Sequence, residues 1–264
     1  MFGDLVGMLA QIDNGRLFWG EVVGTGVLIL LGDGVVAGVL LNRSKAQNSG
    51  WIVITWGWGM GVLFGVWLSI AMGGQGDINP AVTIGKWASS RALYALPDAG
   101  FVQMVIQVAG EFVGAAAGAL LVWLAFLPHW PQTDDPGLKL AVFSTGPAIR
   151  NYAANLVTEI IATMLLVFGV FGLFVAGGGT SVVGTNLALN VFWVALLVFA
   201  IGMSLGGPTG YAINPARDLG PRIMHFILPI AGKGDSDWGY SWVPVVGPII
   251  GGILGAWLGR AVFL

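Results

Sequence analysis

Two copies of one tetrapeptide, Ile78-Asn79-Pro80-Ala81 and Ile213-Asn214-Pro215-Ala216, are the most specific pattern in the chain. The chemistry they offer is recognition by hydrogen bonding rather than bond making. Asn is a favoured helix N-cap, and Pro is favoured at the first helical position, where its missing N–H costs nothing. The residue before a proline is pushed towards extended backbone, so each helix should begin abruptly at its asparagine. The side-chain oxygen of each Asn would cap its helix and leave the NH2 donors for a lumen. Glu21, Asp33, Glu111 and Glu159 stand alone in apolar runs, Asp77 precedes the first box and Asp218 follows the second. Charged groups inside membrane spans are functional candidates by default. The chain has no cysteine and two histidines, and it shows no metal cluster or nucleophile–base constellation. Neither an enzyme nor a metal or other cofactor is expected.

These groups sit in an apolar frame. Of 264 residues, 56% are hydrophobic and 9% charged, with a mean hydropathy of +0.84. An ordinary soluble domain is about 25% charged. The chain reads as an all-α, multi-pass protein embedded in the lipid bilayer. Its formal net charge of −2 gives no footprint for nucleic acid. Six apolar runs, 18–41, 51–72, 100–127, 152–176, 186–205 and 241–264, are expected to span the membrane. The helices that follow the boxes are about two and three turns long. Neither can cross a bilayer, which needs roughly 20 apolar residues.

The boxes are part of a longer repeat. Glu21 with Thr25 opens the first span, and Glu159 with Thr163 opens the fourth. Gly110, Gly114 and Gly118 ridge the third span as Gly247, Gly251 and Gly255 ridge the sixth. The whole chain is expected to be a single channel domain, with repeat 1 at about 17–130, a loop at 131–151 and repeat 2 at about 152–264. Each repeat holds an odd number of spans, so the two halves enter from opposite faces as an inverted repeat. The short helices then point their N-termini at one another near the midplane. Irregular backbone at that depth must line water or lie buried in protein. The segments 73–78 and 206–213 should therefore form the wall of a narrow tube, with donors at its centre and carbonyl acceptors leading to it. Two helix N-termini at about 5 Å and an effective ε of about 20 repel a unit cation by about 3 kcal/mol. Loss of hydration must supply the rest of any ion exclusion.

The paired boxes, the ExxxT openings and the stretch Gly210-Tyr-Ala-Ile-Asn-Pro-Ala-Arg-Asp-Leu-Gly-Pro-Arg222 resemble the major intrinsic protein family, and within it the bacterial glycerol facilitators. The resemblance covers about residues 17–264. It implies an aquaporin-like inverted repeat of six transmembrane helices plus two re-entrant half-helices, assembled as a homotetramer with one pore per subunit. It assigns the pore centre to Asn79, Pro80, Ala81, Asn214, Pro215 and Ala216. It places a selectivity filter at Trp58, Gly202, Tyr211 and Arg217, with Trp56 competing for the Trp58 position. Residues two apart on a helix point about 200° apart, so only one of the two tryptophans can face the pore. Gly202 stands where water-selective channels carry His, and so leaves a wider opening. Tyr211 replaces the usual Phe. Glu21 and Glu159 would hold the pore loops, and Asp218 would brace the second half-helix or Arg217. Asp77 replaces the usual His and falls in the vestibule.

The expected function is passive diffusion of glycerol and other small neutral solutes, with water, and exclusion of ions and protons. Trp58 and Tyr211 would supply an apolar wall for the carbon backbone, and Arg217 would donate to hydroxyls. Two rival readings remain. One is the same pore used for undissociated lactic acid, dihydroxyacetone or urea. The other is a proton-coupled transporter using Glu21, Glu159 or Asp77. The resemblance puts both termini in the cytoplasm of a bacterial inner membrane. The basic residues argue poorly for that orientation, because Arg43, Lys45, Lys139, Arg150 and Lys233 would all lie outside.

Overall fold

The computed structural model describes residues 13–89, 100–175 and 187–263. Helix α1, Asn14–Leu40, starts at Asp13, whose carboxylate accepts from the N–H groups of Gly15 and Arg16. Helix α2, Trp51–Ala71, carries no charge. The first short helix, α3, is Pro80–Ser89. Helix α4 is Phe101–Ala125. After α6 (Tyr152–Val175) and α7 (Leu187–Leu205) comes the second short helix, α8, at Pro215–Ile227. Helix α9, Val243–Phe263, closes the chain. Among the described residues there is no strand.

The segment between the repeats is more ordered than a loop. It holds a 3-10 turn, Trp130–Gln132, and a helix, α5, Pro136–Phe143. Asp135 caps α5 by accepting from Gly137, with Pro136 at the first helical position. That Asp-Pro pair is the start signal that could have disclosed the helix.

Helices α1, α2, α4, α6 and α9 are long and apolar enough to cross a bilayer. The sixth expected span is α7. Its 19 residues rise about 28 Å, close to the ~30 Å hydrocarbon core, and it begins at the edge of the described residues. The glycine-rich 177–185 connection and Arg91 lie outside those residues.

The glycine ridges explain how these helices pack. A Cβ at Gly110 would stand 2.6 Å from the Phe18 carbonyl oxygen, and Gly114 and Gly118 face the Val22 and Gly26 carbonyls of α1. In the other half, Gly247, Gly251 and Gly255 face α6 in the same manner, with Gly247 against Glu159. Backbone-to-backbone approach of this kind is how helices associate in lipid, where no hydrophobic force separates them from the tails. Each short helix then crosses to the opposite repeat. Ala81 and Gly85 of α3 pack on Gly252 of α9, and Gly220 of α8 packs on Ala115 of α4. This exchange sets the two short helices tip to tip in the middle of the protein.

Candidate solute pore

Two buried glutamates shape the loops ahead of the short helices. Glu21 on α1 accepts from the Ser69 hydroxyl at 3.2 Å and from the N–H groups of Gly76, Asp77 and Ile78 at 2.9, 3.3 and 2.7 Å. Glu159 on α6 accepts from the Thr209 hydroxyl at 2.7 Å and from the N–H groups of Ala212 and Ile213 at 2.9 and 2.8 Å. Both carboxyls therefore face backbone amides rather than the lumen. The bonds hold a strained backbone: Ile78 and Ile213 have φ of 45° and 44°, and Tyr211 has 42°. A β-branched residue in that region is a genuine outlier, which the surroundings must over-determine.

The left-handed turns aim the Ile78 and Ile213 carbonyls across the molecule. Asn214 Nδ2 donates to the Ile78 oxygen and Asn79 Nδ2 to the Ile213 oxygen, both at 2.8 Å. Each Asn oxygen caps its own helix, accepting from Ala81 at 2.9 Å and from Ala216 and Arg217 at 3.0 and 3.1 Å. The expectation that both amide hydrogens face the lumen is thus corrected. One reaches the opposite loop, because a carbonyl left unpaired at membrane depth is costly. The second N–H of each asparagine is not used in these bonds. Pro80, Ala81, Pro215 and Ala216 form the buried first turns of α3 and α8.

A cavity of about 300 Å³ runs past both asparagines. One wall is aliphatic, from Leu28, Val62, Val66, Ile70, Leu166, Val170, Val194 and Val198. The other is the irregular backbone around 74–79 and 211–214. At one end, Trp58, Tyr211 and Arg217 converge. The Arg217 guanidinium lies 3.8 Å from the Trp58 ring centroid. Trp58 is buried, whereas Trp56 is 45% exposed and packs edge-on against Phe199. Gly32 makes room for the Trp58 indole, which any Cβ there would strike. Gly202 stands behind Tyr211 rather than in the opening: a Cβ would meet Tyr211 Cζ at 2.7 Å and Thr55 Cγ2 at 2.9 Å. Its contribution is space for the Tyr211 ring, which also meets Trp51 edge-on at 5.8 Å.

At the other end, Asp77 is buried in an ion pair with Lys86. Lys86 also donates to Gln75 at 3.0 Å, and the Thr83 hydroxyl lies 3.0 Å from Asp77 and 2.7 Å from Glu111. Glu111 further accepts from the Asn79 N–H at 3.0 Å.

Asp218 braces α8, but through Arg222 and not Arg217. Its oxygens accept from Arg222 at 2.9 and 3.1 Å and from the Thr145 N–H and hydroxyl at 2.7 Å each. Arg222 uses its remaining donors on the carbonyls of Thr145, Ser236 and Asp237. Arg217 differs: its Nη1 is buried with no hydrogen-bond partner. Glu111, Arg222 and Asp33 are wholly buried residues near the site to which sequence reading gave no role. The repeat could not flag Glu111, because the residue after the matching Gly247 is Pro248.

Comparison with known proteins places this geometry. The family description "MIP: Major intrinsic protein" matches residues 8–258. The chain is 54% identical over 250 residues to a probable glycerol uptake facilitator protein of Thermotoga maritima, covering 94% of this chain and 99% of that one. It is 48% identical over 246 residues to the glycerol uptake facilitator protein of Bacillus subtilis, covering 93% and 84%. Among solved structures, the aquaglyceroporin from Plasmodium falciparum superposes with a TM-score of 0.79 at 25% identity, covering 95% of this chain and 97% of that one.

Proposed function

The chain belongs to the major intrinsic protein family, a family of multi-pass membrane channels, and from that premise we propose that it is a passive channel for glycerol and similar small neutral solutes, with water. The observation that carries this reading is the two-sided cavity. An aliphatic wall faces a row of backbone and amide groups, and Arg217 beside Trp58 closes one end. A polyol presents carbon on one side and hydroxyls on the other, and it fits such a wall without leaving a polar group unpaired. We assign the filter to Trp58, Tyr211 and Arg217, with Gly202 shaping Tyr211. We assign the centre to Asn79 and Asn214. Glu21 and Glu159 are supports, since their oxygens are taken up by backbone amides, and this argues against a proton-carrying role.

The same reading has both termini in the cytoplasm, no chemical conversion of the solute, and a homotetramer. Exposed apolar residues such as Trp67, Phe101 and Trp257 suit lipid or a neighbouring subunit. The test is stopped-flow light scattering on proteoliposomes. Glycerol should equilibrate with a low activation energy and no response to an imposed proton gradient. Gradient-driven accumulation above equilibrium would replace this reading with a coupled transporter. A panel of glycerol, urea, dihydroxyacetone and lactic acid would rank the solutes.

A further inference from the structure

We propose that Asp33 is a positioning residue of the filter, which holds the Arg217 guanidinium on the Trp58 ring and cancels its charge at the constriction. The inference rests on the channel reading and adds the electrical character of its narrowest point. Asp33 lies on α1 and is wholly buried. Its Oδ1 is 3.8 Å from Arg217 Nη1, with the two side chains 0% and 8% exposed. Neither Asp33 oxygen has a hydrogen-bond partner, and neither has Arg217 Nη1. A carboxyl with no donor, deep in an apolar helix, keeps its charge only beside a cation. Arg217 is the cation it faces.

The contrast with Asp218 and Arg222 defines the role. That pair meets at 2.9 Å, and its remaining oxygens and nitrogens bond Thr145, Ser236 and Asp237. Asp33 and Arg217 stand at a distance beyond a hydrogen bond, so their attraction fixes the guanidinium while leaving its N–H groups unclaimed. The ring of Trp58 bounds the guanidinium from another side. A carboxylate so near, screened from water, dominates the local field. The constriction is then a neutral pair that donates hydrogen bonds, and it gives no net attraction to an anion. The solute class it selects is uncharged molecules carrying acceptor oxygens.

The experiment uses the full-length protein in liposomes, with Asp33→Asn, Arg217→Ala and the double variant. Glycerol flux, dissipation of a potassium gradient and thermal midpoint are measured for each. Arg217→Ala strands a carboxylate at the constriction, so the potassium leak should rise about tenfold or more, and in the double variant it should return to within about threefold of the parent. In a density map of Asp33→Asn, the guanidinium should leave the Trp58 face, with a change in glycerol flux of at least about twofold. Folding of the double variant where Arg217→Ala alone fails to fold also supports the pairing. A double variant that leaks as much as Arg217→Ala, or an Asp33→Asn map with Arg217 unmoved, overturns it. A parent protein that passes no glycerol would defeat the channel reading instead, and the leak and stability of the double variant would still report on the pair.

Discussion

Counted from the two box asparagines, the halves can be laid residue on residue. The residue before each is a left-handed isoleucine, Ile78 and Ile213, bonded through its N–H to Glu21 or Glu159. Three before each, φ is again positive, at 72° for Gly76 and 42° for Tyr211. Side chains then part company. Three after, Val82 lines the cavity on one side and Arg217 on the other. Four after, Thr83 bonds Glu111, while Asp218 bonds Arg222 and Thr145. The backbone recurs because both halves must deliver a helix tip to the midplane. The side chains diverge, with a cation directly after the second box and a valine after the first. The second half also carries the greater strain: a tyrosine occupies a conformation that the first half gives to glycine, the residue that adopts it freely.

The largest effect should come from breaking what the halves share. Glu21→Gln or Glu159→Gln replaces an acceptor with an NH2 that opposes a backbone N–H. With charged hydrogen bonds at about 1.5–3 kcal/mol each, a loss of about 3 kcal/mol or more is expected. Detergent melting should show it for both variants. If only one glutamate mattered, the symmetry of the anchors would be broken.

Next comes a swap of what differs. Arg217→Val makes the second half like the first, and the preference for glycerol over larger polyols should fall by about tenfold or more, the worth of one charged hydrogen bond. Val82→Arg would place a second, unneutralised guanidinium beside the lumen, and glycerol flux should drop at least as far. Flux assays with glycerol, xylitol and sorbitol read both.

A smaller effect belongs to Gly202→Ala. The added methyl meets Tyr211 Cζ at 2.7 Å, so the ring must move. Glycerol flux should fall about two- to fivefold, with water flux reduced less, the mark of a shift costing about 1 kcal/mol. Equal losses of both would mean that the ring does not border the path.

The smallest effect belongs to the outer latch. Arg150 grips Asp237 at 3.0 and 2.6 Å and lies over Tyr240, but the pair is exposed. Arg150→Ala should cost no more than about 1 kcal/mol in a denaturant or thermal melt and leave flux unchanged.

The scaffold was legible in the sequence because its signals are local or repeated. The Asn-Pro pairs announce helix starts, the glycine ridges announce close packing, and Glu21 and Glu159 sit at matching places. What escaped depends on contacts between distant segments. Asp218 finds Thr145 across 73 residues of chain, and nothing around either residue announces the pairing. Asp33 is one acid among apolar neighbours, and only the fold brings it to Arg217, on another element. The place of Gly202 behind Tyr211 was hidden for the same reason, since its family position suggests open space whereas the ring fills that space here.

The crossed amide bonds bear on how the protein is made. The Ile78 oxygen waits for a donor on Asn214, encoded 136 residues later. A ribosome that has delivered only the first three spans leaves that oxygen unmet and its left-handed turn unsupported from the far side. The loop before the first box can therefore take its final bonding only after Asn214 has been translated and its half-helix has turned back into the protein, so the centre of the molecule is completed late.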